Sequence, residues 1–320
     1  MADCHNLFLK YHEKIELTKT KENYLRQARE ALENKIKEYF KNVLKIKIPD
    51  FKLQGSFSTN ITINPLDNEF DIDDGIYLNN LPYSFEEWPK PENVHDLVFN
   101  SVEGHTEEKP IDKRTCVRVI YAKNYHVDFP IYGNYLSNTY LAEKGEKGWN
   151  ISEPIKLKEW FLNNISNHGE QLRRIIRYLK AWADFESKKG IMPSSLVISI
   201  LTINAYKNYA RDDSCFTNIL NIIKDNINKN FIVYNPVDLT EDLTNKITDS
   251  QKERFKKRIN LFAADAINAL QLDLKEEACK IWYRYFGNRF PECDNLDEES
   301  STFKTSAPAL LHNDGRSAHE

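Results

Sequence analysis

The spacing of apolar residues changes twice along this chain. Over residues 21–42, Tyr24, Leu25, Ala28, Ala31, Leu32, Ile36, Tyr39 and Phe40 recur at three- and four-residue steps, and Val43 continues the stripe. That spacing predicts one amphipathic helix of about six turns, capped by Thr20 and ended before Pro49. Between residues 50 and 142 the period falls to two. Strands are predicted over 51–54, 70–78, 116–121, 126–132 and 135–141, and a Pro-rich break at 81–92 leads into a helix over 93–102. From Ser152 onward the helical period returns over 155–165, 170–186, 193–209, 216–228, 249–270 and 273–286. Pro154 sits near the start of the first, and Asp249 and Asp273 are read as N-caps. No repeat of 20–50 residues is visible.

The predicted fold class is therefore α+β. A long N-terminal spine helix and a mixed β-sheet with few helices occupy residues 1–150, a helical lobe occupies 151–292, and 293–320 read as a flexible tail. In the 320 residues, 41% hydrophobic and 29% charged with only 10 Gly and 12 Pro, there is material for a packed core, which excludes a collagen or a wholly disordered chain. Forty-four basic against 48 acidic residues, a net charge of −4, weigh against a dedicated duplex-DNA binder. The five cysteines are scattered without a C-x-x-C pair, and read as reduced thiols of a cytoplasmic protein, with neither a zinc site nor a disulfide framework. The first residues lack a signal-peptide pattern, and the longest apolar run, 196–205, is far short of the ~20 residues that span a bilayer.

The candidate chemistry lies in residues 51–78. Gly55-Ser56 follows a strand and opens a polar turn, a place where backbone N–H groups and a hydroxyl can surround phosphate oxygens. Fifteen residues on comes Asp71-Ile72-Asp73-Asp74. At period two, Asp71 and Asp73 share a face while Ile72 points to the core. Like charges side by side repel, and a hard divalent cation such as Mg²⁺ reverses that penalty. Asp74 falls on the other face and is excluded. Asp128 is a lone Asp in the apolar segment 126–132, where an unpaired charge is costly, and it completes a set of three carboxylates. His126 shares its face but is left out of the metal site.

These motifs, with residues 54–78 and 126–132 read in full, resemble the cGAS/DncV-like nucleotidyltransferases (CD-NTases) of the polymerase-β-like superfamily, which make cyclic di- or trinucleotide signals in antiphage CBASS operons. The likeness runs on through Arg177-Tyr178-Leu179-Lys180-Ala181-Trp182, through Pro193-Ser194-Ser195, and through Asn235-Pro236-Val237-Asp238 ahead of Asn245. It covers roughly residues 20–290 in the expected order.

The resemblance implies a polymerase-β-like core closed by the helical lobe. It implies that Gln54, Gly55 and Ser56 line a donor triphosphate, that Asp71, Asp73 and Asp128 hold two Mg²⁺ ions (Mn²⁺ in their place), and that Lys180 and Ser194 contact the triphosphate. Ser195 competes for the role of Ser194. Arg118 and Asp238 are candidates for base or acceptor contacts. NTPs are the expected substrates. A HORMA-type regulator or a conjugation enzyme is the expected partner of the tail, although Arg316-Ser317-Ala318-His319-Glu320 lacks the small last residue that conjugation favours. A nucleotidyltransferase acting on RNA or a small molecule, and an inactive relative, are the alternatives. The three carboxylates weigh against the last.

Overall fold

The structure, a computed structural model, describes residues 1–122, 124–187, 192–294 and 296. The N-terminal helical pattern resolves into two helices, α1 (His5–Ile15) and α2 (Lys19–Glu38), and α2 continues as a π-helical turn, Tyr39–Leu44. Lys45 at φ 55° ends it. The cap is Thr18, not Thr20: Thr18 is extended and its side chain accepts from Lys21 N–H at 3.3 Å, while Thr20 already lies inside the first turn.

Next come β1 (Asp50–Gln54), the single turn α3 (Gly55–Ser58), β2 (Phe70–Tyr77), α4 (Pro91–Val102), β3 (Ile111–Asp112), β4 (Val117–Tyr121), β5 (Tyr125–Phe129), β6 (Ile131–Tyr135), β7 (Asn138–Glu143) and β8 (Gly148–Ile151). They form one mixed sheet in the order β3-β4-β5-β2-β6-β7-β8, with β1 also paired to β2. The segment expected as one strand over 126–132 is two. Pro130 has no N–H to give to the ladder, so pairing breaks there, though β5 and β6 both run parallel to β2. β3 and β8 were not expected from the pattern.

The remainder is α5 (Pro154–His168), α6 (Glu170–Ser187), α7 (Ser195–Ala205), α8 (Asp212–Lys229), a hairpin of β9 (Tyr234–Asn235) and β10 (Asp238–Asp242), α9 (Asp249–Gln271) and α10 (Lys275–Phe286). Two expected caps are corrected. Thr248, not Asp249, caps α9 in a capping box with Gln251, and Leu274 occupies the N-cap of α10 without a side-chain bond.

Two apolar clusters hold these layers. One presses α2 and α4 against the sheet through Leu25, Leu32, Ile36, Val94, Val98, Ile72 and Val127. The other is helical and takes in α1: Phe8 is fully buried, with the rings of Tyr178, Phe216, Trp282, Phe286 and Phe290 at 4.9–5.7 Å.

The cysteine reading also changes. The chain folds back after α10 so that Cys279 and Cys293 lie 5.5 Å apart at Cα and form a disulfide. Cys4, Cys116 and Cys215 are buried thiols, each pushed up to about 12 chiefly by that burial. Among the described residues no helix is long and apolar enough to cross a membrane. The expected tail contacts lie beyond Leu296, outside the described residues.

Candidate active site

Strand register assembles the site. β2 runs parallel to β5 with Asp71 beside His126 and Asp73 beside Asp128. On its other edge β2 pairs antiparallel with β1, which sets Gln54 beside Asp73. β4 pairs with β5 and sets Arg118 beside Asp128. Gln54, Asp73, Asp128 and Arg118 thus form one rung across four strands, and residues on one rung project to the same face. Asp71 and His126 share that face two residues away. Asp74 points the other way, fully buried, with its Oδ1 3.0 Å from Arg29 Nε of α2, an ion contact without the alignment of a hydrogen bond.

Over this face lies a cavity of about 620 Å³, roofed by α5, α6 and the start of α7, with Gln54, Gly55, Ser56, Asp71, Asp73 and Lys180 in its wall. The turn at Gly55 is dictated by its neighbours. Its φ is +66°, and a Cβ there would stand 2.1 Å from Asp73 Oδ2. Glycine answers both requirements. Gln54 is held by its Nε2 donating to Tyr132 OH at 2.9 Å, and the Ser56 hydroxyl pairs with that of Thr62 at 3.0 Å. Lys180 is buried and donates to the Ile61 carbonyl at 2.9 Å. Burial lowers its ammonium to about 8, with the Asp71 charge opposing.

The carboxylates crowd one another. Burial, then the charges of Asp71 and Asp128, push Asp73 up to about 7. Burial also raises Asp71, but the hydrogen bond and charge of His126, with Lys180 and Arg118, bring it below the ordinary value. His126 Nε2 is 3.7 Å from Asp71 Oδ2, and its Nδ1 is 3.5 Å from Glu69 Oε1. One ligand atom each from Asp71, His126 and Asp128 lies within 4.8 Å of the others. Three oxygen donors that repel, one of them poised to lose a proton near neutrality, fit a hard divalent cation. His126, left out by the sequence reading, belongs to the cluster. Its even spacing from Asp128 was the available signal.

Three of the expected contact residues have partners within the protein. Arg118 Nε and Nη2 donate to Asp128 Oδ1 and Oδ2 at 2.7 Å each, a bidentate fork that orients the carboxylate. Ser194 is the N-cap of α7, its Oγ accepting from Val197 N–H at 3.3 Å, and the competing Ser195 lies on the cavity wall. Asp238 lies in the β9–β10 hairpin and accepts from Thr240 N–H and Oγ1 at 3.0 and 2.6 Å, a turn motif outside the cavity wall.

Two family models match the chain in order: the nucleotidyltransferase domain of DncV-like cyclic GMP-AMP synthases over residues 49–132, and the C-terminal domain of cyclic GMP-AMP synthase over 169–298. The chain belongs to the DncV-like nucleotidyltransferases. The first model spans the turn, Asp71, Asp73, Arg118 and Asp128, and the second spans Lys180 and Ser195. A cyclic GMP-AMP synthase of Escherichia albertii is 27% identical over 219 residues, 65% of this chain and 49% of that protein. One from Vibrio cholerae is 25% identical over 57% of this chain and 53% of that protein. The chain spans about half the length of the curated relatives it matches. In fold it is similar to the Vibrio cholerae DncV cyclic AMP-GMP synthase solved with a linear pppA(3′,5′)pG intermediate. The TM-score is 0.75 at 21% identity, over 92% of this chain and 99% of that one. The expected α+β architecture, mixed sheet plus helical lobe, is thereby borne out.

Proposed function

We propose that this chain joins two nucleoside triphosphates, ATP and GTP by analogy with the cyclic GMP-AMP synthases it resembles, into a cyclic dinucleotide with release of pyrophosphate. The observation that carries the reading is the rung of Gln54, Asp73, Asp128 and Arg118, of which Gln54 and Asp73 lie in the wall of a cavity also lined by Gly55, Ser56 and a buried lysine. Residues 1–150 and 151–292 act as the two jaws of that cavity, although α1 itself packs in the helical core.

The Gly55–Ser56 turn presents N–H groups and a hydroxyl to the donor phosphates, and Lys180, with Ser195 beside it, faces them from the lobe. Asp71, Asp73 and Asp128 hold two divalent cations, Mg²⁺ or Mn²⁺ in its place, with His126 beside them. When bound, such ions neutralise phosphate charge and acidify the attacking ribose hydroxyl. Arg118 keeps the Asp128 carboxylate aimed at that region. The buried wall excludes water that would compete with the hydroxyl. A cavity between the sheet and the helical lobe suits a linear intermediate that turns round and reacts again. Signalling to an antiphage effector, a cytoplasmic setting and a regulator of HORMA or conjugation type complete the proposal.

The experiment is direct. Purified protein with ATP, GTP and Mg²⁺ should give a phosphatase-resistant cyclic dinucleotide by mass spectrometry. Asp71→Ala with Asp73→Ala should abolish it without lowering the melting temperature. A product that appears only when RNA or another acceptor is added would reject the cyclase reading in favour of a template-independent transferase.

A further inference from the structure

Two lysines, Lys158 and Lys180, line the cavity. Lys158 of α5 lies on the wall beside Gln54 and Gly55, and its Nζ donates to the Leu53 carbonyl at 3.1 Å. Lys180 of α6 donates to the Ile61 carbonyl at 2.9 Å. Those carbonyls bracket the Gly55–Ser56 turn, one before it and one after it. The two ammonium groups therefore flank the turn from two helices of the lobe. An ammonium has three donors, and one backbone carbonyl takes only one. Among the described residues no carboxylate pairs with Lys158, whereas Lys156 on the same helix pairs with Glu153 at 3.1 Å. A half-buried cation held by a neutral oxygen at the mouth of a phosphate turn is a site for an anion.

We propose that Lys158 is a second phosphate-binding residue, gripping the polyphosphate tail of the donor nucleotide opposite Lys180. This rests on the nucleotide reading above. A tail of several negative charges between two cations explains why both lysines hold only carbonyls: each keeps its charge and its spare donors for the ligand.

The test titrates the full chain, with Mg²⁺ present, with a non-hydrolysable nucleoside triphosphate and with the matching monophosphate. Wild type, Lys158→Gln, Lys158→Arg and Lys156→Gln are compared. Lys158→Gln should bind the triphosphate about tenfold more weakly and the monophosphate within about twofold, with a shallower salt dependence. Lys158→Arg should restore most of the loss and Lys156→Gln should match wild type. If Lys158→Gln binds the triphosphate like wild type, the assignment is wrong. It is equally wrong if both ligands weaken together with a lowered melting temperature, for then Lys158 only tethers α5 to Leu53. A wild type that binds neither nucleotide would reject the nucleotide reading itself, and this inference with it.

Discussion

Replacing Gly55 by alanine separates two costs that usually come together. The added Cβ would stand 2.1 Å from Asp73 Oδ2, more than an ångström inside ordinary contact, and the residue would sit at φ +66°. The backbone part costs roughly 1–2 kcal/mol for any L-residue. The steric part falls on the carboxylate, because the strand backbone around Asp73 is pinned by β1 on one edge and β5 on the other. Asp73 must rotate away, and a displacement of about 1 Å at a reacting centre costs on the order of 10²-fold in rate. Gly145→Ala supplies the control. Gly145 has φ +89° with nothing within 4 Å of its would-be Cβ, so alanine there carries the backbone cost alone. Both variants should lose roughly 2–4 °C of melting temperature per kcal/mol. Only Gly55→Ala should lose about 10²-fold in cyclic product per minute, together with Mn²⁺ affinity measured by calorimetry. Equal activity in the two variants would refute the claim that the turn sets the position of Asp73.

Three further outcomes follow from contacts already described. Asp73, raised to about 7, favours the protonated native state, so its contribution is complete below the ordinary carboxylate value of 3.8 and is lost as pH rises through about 7. In EDTA, melting temperature should therefore fall more between pH 5 and 8 in wild type than in Asp73→Asn, and Mn²⁺ affinity should climb about tenfold per pH unit below 7; a flat affinity profile would contradict the raised carboxyl. Reduction of Cys279–Cys293, which are 14 residues apart, should cost about 3 kcal/mol on loop-entropy grounds, and alkylation of the denatured chain should label three thiols without reductant and five with it; five in both conditions would mean the bridge does not form. Arg177, buried between Glu16 at 2.9 Å and the Asn60 carbonyl at 2.8 Å, ties α6 to α1 and to the segment after α3, so Arg177→Met should destabilise by roughly 3 kcal/mol in thermal melts, and a loss below about 1 would show that the exposed half of Glu16 carries the pair.

Much of the site was legible in the sequence because it depends on period. Asp71 and Asp73 share a face by alternation, and Asp128 stood out as a lone charge in an apolar strand. What depends on register was not. Arg118 meets Asp128 through a hairpin turn, and no spacing rule along one strand shows that pairing. Ser194 and Ser195 are both plausible starts of α7, and only the backbone bond to Val197 tells the cap from its neighbour. The cap of α9 moved by one residue for the same reason. Cys279 and Cys293 carry no local motif, and they meet because Gly287 and Arg289 turn the chain back on α10.

The lodging of α1 in the helical core bears on how the protein is made. Phe8 is synthesised well before Trp282, Phe286 and Phe290, whose rings help to enclose it. At about 5–20 residues per second, roughly 15–60 s pass between synthesis of Phe8 and of Phe290. During that interval the sheet and α2 can fold on the nascent chain, while α1 holds Leu7, Phe8 and Tyr11 with part of their cover still to be made. The helix α1 is thus among the last of these elements to be fully placed, and until then its apolar face is a natural substrate for chaperones.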